Sequence, residues 1–165
     1  MAIPYALAME NLLIRDFGPG DSAAFRQLNE AWIRHYFVLE PKDEATLGDP
    51  SGAILEKGGQ ILLAETAGEV VACCALQFMA VGEFEVAKMA VTEAAQGKRI
   101  GRRLLEAVIQ RAEQMGAHRL YLETNRVLEP AVRLYESLGF VHLPPERVPS
   151  SPYARANVFM EKVLR

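Results

Sequence analysis

The 165-residue sequence predicts an α/β fold of the α+β type, a mixed and mostly antiparallel central sheet with helices on both faces. Three β-prone runs carry much of that reading: Ile61 to Glu65, Val70 to Phe78 and Phe84 to Val91. Only Ala67-Gly68 and a turn at Gly82 separate them, as in an antiparallel meander. Apolar residues then recur at helical spacing: Ile100, Leu104, Leu105, Val108, Ala112 and Met115. Arg103, Glu106, Arg111 and Glu113 fill the opposite face of that helix, which ends near Gly116. A strand at Leu120 to Glu123 follows a helix, so its pairing is expected to be parallel.

The other elements follow in order. Met1 to Glu10 reads as a frayed lead-in and Asn11 to Asp16 as a first strand. Gly18-Pro19-Gly20 breaks it, and Asp21 or Ser22 caps a helix to about His35 whose face is Phe25, Leu28, Trp32 and Tyr36. Pro41 interrupts the next stretch, leaving a helical turn at Asp43 to Leu47. Asp49-Pro50 has the cap-then-proline order of a short helix from Pro50 to Lys57, stopped by Gly58. Pro130 and Gly139 bracket a further helix. Phe140 to Leu143 is a strand, Leu143 to Pro152 a proline-rich loop and Asn157 to Leu164 the last strand. The chain length fits one domain, 1–165, with a core of about residues 12–164.

Half the residues are apolar and 24% charged, the balance of a globular protein. The net charge of -3 makes no electrostatic case for nucleic acid or an anionic membrane. No apolar run is long enough to cross a bilayer, and no secretory signal pattern opens the chain. Cys73 and Cys74 are adjacent and form no disulfide framework, which fits a reducing cytoplasm. His35, His118 and His142 are scattered without metal-ligand spacing, so no metal is expected.

The most informative stretch is Gln96-Gly97-Lys98-Arg99-Ile100-Gly101 and the helix that follows. A glycine loop feeding a helix start offers unpaired amides and the positive end of the dipole to an anion. Arg102 and Arg103 after Gly101 rule out a Walker loop, which needs Lys then Ser or Thr. Two glycines past mid-chain do not make the three-glycine dinucleotide fingerprint. The pattern resembles the Gln/Arg-x-x-Gly-x-Gly/Ala signature of the GNAT superfamily of N-acetyltransferases. Arg99 stands where that signature has its first glycine. Glu85 to Val91 resembles the family's central strand, and Pro130 to Phe140 its following helix-to-strand segment.

The resemblance implies acetyl-CoA as acyl donor. Backbone amides from Gly97 to Arg102, in the loop Gln96, Gly97, Lys98, Arg99, Ile100, Gly101 and Arg102, would hold its pyrophosphate. Met89, Ala90 and Val91 would pair with its pantetheine arm, the Met89 amide serving the acetyl oxygen. Asn125 would replace a family asparagine at the position of Leu128, or else is a turn residue. Glu85 shares strand parity with Ala87, Met89 and Val91, and a carboxylate on an apolar face suits a general base. Glu123 is the reserve base. Tyr135 matches the family's thiolate acid, although Ala131, Leu134, Tyr135 and Leu138 also make a plain core stripe. Cys73 and Cys74 read as core rather than nucleophiles.

The acceptor is expected between Trp32, Arg34, His35, Tyr36, Phe37 and Glu40 at one end and Tyr153, Arg155 and Asn157 at the other. A small-molecule or peptide amine fits, and a homodimer is admitted as one assembly. Two rivals stand beside the enzyme: a non-catalytic acyl-CoA sensor, which does not need Glu85 or Tyr135, and a nucleic-acid patch on Lys98-Arg99 and Arg102-Arg103, which the acidic balance disfavours.

Overall fold

The computed structural model describes residues 11–165, so the expected lead-in at Met1 to Glu10 lies outside the described residues. Among the described residues seven strands form one sheet: β1 (Leu12–Asp16), β2 (Gln60–Thr66), β3 (Glu69–Ala80), β4 (Glu83–Val91), β5 (Arg119–Thr124), β6 (Val141–His142) and β7 (Val158–Val163). Their order is β1-β2-β3-β4-β5-β7-β6. The meander β2-β3-β4 is antiparallel, and β4 to β5 is the parallel junction. The helices are α1 (Ser22–Tyr36), α2 (Pro41–Gly48), α3 (Ile100–Gln114) and α4 (Glu129–Ser137).

Strand alternation splits the core in two. Leu62, Ala64, Cys74 and Leu76 face Ile100, Leu104, Leu105 and Val108 of α3. Ile61, Leu63, Cys73 and Ala75 face Phe25 of α1, Leu47 of α2 and Ile54. Helices therefore cover both faces of the sheet, as the sequence predicts.

Four local expectations need correction. The helical turn expected at Asp43 to Leu47 is the middle of a longer helix that Pro41 starts, and Asp43 accepts the Glu40 amide at 2.9 Å across that N-terminus. The expected helix from Pro50 to Lys57 is a single π-turn, Ser51–Leu55, in which the Glu56 amide donates to the Ser51 carbonyl at 2.8 Å. The buried stripe of α1 is Phe25, Asn29 and Ile33, while Tyr36 is half exposed. Asn29 fits because its amide donates to the Phe25 carbonyl at 2.9 Å. The strand after α4 is only Val141–His142.

A fifth correction concerns β4 and bears on function. Phe84 and Val86 lie in the α3 core, yet Ala90, of the same parity, lies in the α1 core. Ala75 of β3 opposes Ala87, but Cys73 opposes Ala90, so β4 carries one extra residue. Lys88 sits at that bulge with a left-handed φ of 53°. Alternation reverses there. Glu85 therefore shares its face with Lys88 and Ala90, not with Met89 and Val91, which pack on the α3 side.

Candidate active site

β4 and β5 pair through only three residue pairs, Glu83 with Arg119, Phe84 with Leu120 and Glu85 with Tyr121. Beyond Glu85 the strands part, and β4 runs on to Val91 without a β5 partner. A cleft of about 760 Å³ opens in that fork. It is lined by β4, the start of α3, α4, the end of α1 and the chain around Tyr153 to Ala156.

One end is the glycine loop. Gly97 has φ 77° and Arg99 has φ 62°, both left-handed. Arg99 thus occupies a conformation that favours glycine, the residue the signature has there. The backbone bond from Arg103 to the Arg99 carbonyl, 3.1 Å, opens the α3 ladder. The amides of Ile100, Gly101 and Arg102 precede that ladder, at the positive end of the helix dipole. A Cβ on Gly101 would lie in ordinary contact with the Met89 and Val91 side chains, 3.4 Å away, so the start of α3 sits directly against the end of β4. The Gln96 side chain donates to the Val91 carbonyl at 3.1 Å and Lys98 to the Ala94 carbonyl at 3.2 Å. Arg102 bonds Ser137 at 3.0 Å, tying α3 to α4.

Tyr135 is buried beside this end. Its hydroxyl donates to Met89 Sδ at 3.7 Å, and burial raises its pKa, so it is held as a phenol. Asn125 lines the cleft, but its side chain donates to the Arg155 carbonyl at 2.7 Å and accepts the Val127 amide at 2.9 Å. Those two bonds build a loop turn.

On the opposite face, Glu85 stands at the last β4–β5 pair, and its carboxylate has no hydrogen-bond partner among the described residues. Burial, then the nearby Glu123 charge, pushes its carboxyl up to about 7, against the pull of Lys88 and Lys42. Glu123 is engaged differently: it accepts hydroxyls from Tyr121 at 2.8 Å and Ser151 at 2.5 Å.

A buried charge network stands behind Glu85. Asp43 is fully buried and accepts Lys88 Nζ at 2.7 Å and both terminal nitrogens of Arg155 at 2.7 Å. Lys88 also donates to the Tyr153 hydroxyl at 3.1 Å, and Arg155 reaches Glu40 at 3.3 Å. Burial opposes ionisation of Asp43, but Arg155, Lys88 and the Glu40 amide together outweigh it and hold the carboxyl far below its usual range. Tyr153 lies under both cations, 4.7 Å from Lys88 and 4.5 Å from Arg155.

The structure brings Glu85, Tyr135, Met89 to Val91, Asn125 and the residues Gln96, Gly97, Arg99, Ile100, Gly101 and Arg102 to one cleft. Trp32, Tyr36, Phe37, Tyr153 and Arg155 of the expected acceptor region line it too. Arg34 and His35 do not. Asn157 instead accepts the Arg126 amide at 2.9 Å. Sequence reasoning missed Lys88 and Asp43. A lone lysine in an otherwise apolar strand segment was the available signal, since such a charge needs a buried partner.

Comparison with known proteins agrees with this geometry. The model of the acetyltransferase (GNAT) family matches residues 8–140. An IAA acetyltransferase of Azospirillum brasilense is 37% identical over 94% of this chain and 100% of its own length. The N-acetyltransferase YjgM of Escherichia coli is 28% identical over 85% of each chain. A GNAT-family acetyltransferase of Staphylococcus aureus shares the fold with a TM-score of 0.85 at 20% identity, covering 93% of this chain and 99% of that one. The yncA protein of Salmonella typhimurium, solved with acetyl-CoA, superposes with a TM-score of 0.75 at 22% identity over 94% and 95%. With four-fifths of the sequence matched by the family model and a near full-length relative, the chain belongs to the GNAT family and is an N-acetyltransferase.

Proposed function

We propose that the chain transfers the acetyl group of acetyl-CoA directly to a primary amine of a small molecule or peptide, with both substrates bound together. Its single domain, core about 12–164, would act in the cytoplasm, which the two free buried cysteines support. Acetyl-CoA supplies an activated thioester. The nest of amides from Gly97 to Arg102 suits a diphosphate, and the unpaired β4 edge at Met89 to Val91 suits an extended arm with amides of its own. Glu85 accepts the proton from the attacking amine nitrogen as the new C–N bond forms. The Met89 amide stabilises the oxyanion, a role worth ~3 kcal/mol for one good donor. As the C–S bond breaks, Tyr135 gives its proton to the departing sulfur and recovers one from solvent.

The observation that carries this reading is Glu85 itself. Its carboxyl has no hydrogen-bond partner among the described residues, burial pushes it up to about 7, and it stands where the two strands separate. Glu123, bonded to two hydroxyls, is less free to take a proton, which favours Glu85 as the base. The test is thiol release from acetyl-CoA with a panel of amines, beside calorimetric binding of acetyl-CoA. Tight binding without turnover on any amine would favour the sensor reading.

A further inference from the structure

At the acceptor end of the cleft Lys88, Arg155, Glu85 and Glu123 line the wall, Asp43 and Glu40 bond the two cations from outside the lining, and the pairing is uneven. Lys88 and Arg155 are both spent on Asp43, which is fully buried, and Arg155 also on Glu40. The Glu40 oxygens further take the Ala154 amide at 3.1 Å. These four charges sum to zero within the protein. Glu85 and Glu123 remain, with hydroxyls as the only partners of Glu123 and none for Glu85 among the described residues. The charge that lines this end of the cleft without an ion-pair partner is therefore negative, offset only at longer range by Lys88 and by Lys42 outside the lining. Beside it, Trp32 and Phe37 meet edge to face at 6.3 Å, and Tyr36 at the mouth is half exposed.

Resting on the transfer reading above, we infer that the acceptor is a cationic amine on an aromatic or otherwise apolar body and without a carboxylate. The ammonium answers the Glu85–Glu123 charge, and the body lies on the aromatic wall of α1. A carboxylate beside the reacting nitrogen finds, in the lining at this end, no cation other than the two that Asp43 holds; Lys42, whose charge reaches Glu85, lies outside the lining. Lys88 and Arg155 are already neutralised by Asp43 and Glu40, and drawing either of them toward a substrate weakens a network built on a fully buried carboxylate. This separates the class from free amino acids, whose carboxylate would be brought up against two glutamates.

The test compares acetyl transfer to matched acceptors: tryptamine, L-tryptophan amide and L-tryptophan, then phenethylamine and L-phenylalanine. A carboxylate lowers the basicity of the neighbouring amine and so leaves more of it neutral. Preference for the amine therefore cannot come from proton availability. The expected result is kcat/KM at least about tenfold higher for tryptamine than for tryptophan, with the amide close to the amine, the size of a like-charge penalty. Glu123→Gln should narrow that ratio by several-fold, mainly through KM. Equal or better transfer to the amino acids, or a ratio unmoved in a folded Glu123→Gln, overturns the inference and leaves the transfer reading standing. Preference for peptide amines over all five does the same. Acetyl-CoA binding with no transfer to any acceptor overturns both.

Discussion

Lys88 Nζ lies 2.7 Å from Asp43 Oδ1, an ion pair whose side chains are 4% and 0% exposed. The pair fixes the bulge of β4 to α2, and through Arg155 it fixes the chain near Tyr153 as well. Removing one partner of a buried pair typically costs about 3–5 kcal/mol, because the other charge stays behind. Asp43→Asn is expected to lose stability on that scale, with Tm falling by roughly 10 °C. Denaturant titration and a thermal melt check it. Asp43→Asn with Lys88→Met together should recover much of the loss.

Glu85→Gln should lower kcat by about 100-fold or more while acetyl-CoA affinity is kept. In the native enzyme, activity should rise with pH through about 7, where Glu85 loses its proton, and level off above. That limb should vanish in the variant.

The same carboxyl predicts a change in stability of opposite sense. Its folded pKa lies above the ordinary carboxyl value of 4.5, so the folded state binds the proton more tightly. Stability from this group is full at low pH and declines as pH rises from about 4.5 to about 7. Glu85→Gln should therefore be more stable than the native protein at pH 8, by about 1–3 kcal/mol, and equal to it near pH 4. Melts at the two pH values measure the difference.

Tyr135→Phe removes one oxygen from a buried ring that packs on Phe140 at 5.9 Å. The fold and acetyl-CoA binding should be preserved, and kcat should drop by about 10- to 100-fold. Activity within twofold of the native value would return Tyr135 to the core stripe.

Arg99→Gly relieves a left-handed residue at the head of α3. A gain of about 0.5–1 kcal/mol is expected, net of glycine's larger unfolded-state entropy. A melt of the unliganded protein reads it.

Much of this architecture is legible in the residues. The stripe Ile100, Leu104, Leu105, Val108 and Ala112 is buried throughout, because helical period and core face coincide. The meander is legible from its turns, and Gly82 has the positive φ, 78°, that its turn needs. The parity of β4 is not legible. One extra residue at Lys88 turns Glu85 away from Met89, and nothing in an alternating pattern marks a bulge that a lysine occupies. The Asp43 network is hidden for another reason. Its members stand 45 and 112 positions apart, and only the folded chain brings them together.

The three rungs between β4 and β5 also have a mechanical meaning. Arg119, on the closed side of the fork, reaches Glu83 of β4 at 3.1 Å and Glu161 of β7 at 2.7 Å, and Arg147 grips the same Glu161. One guanidinium therefore clasps two half-sheets at their shared root. A molecule wedged between the open tips and this clasp at the base act on a single angle, from opposite ends of a short lever.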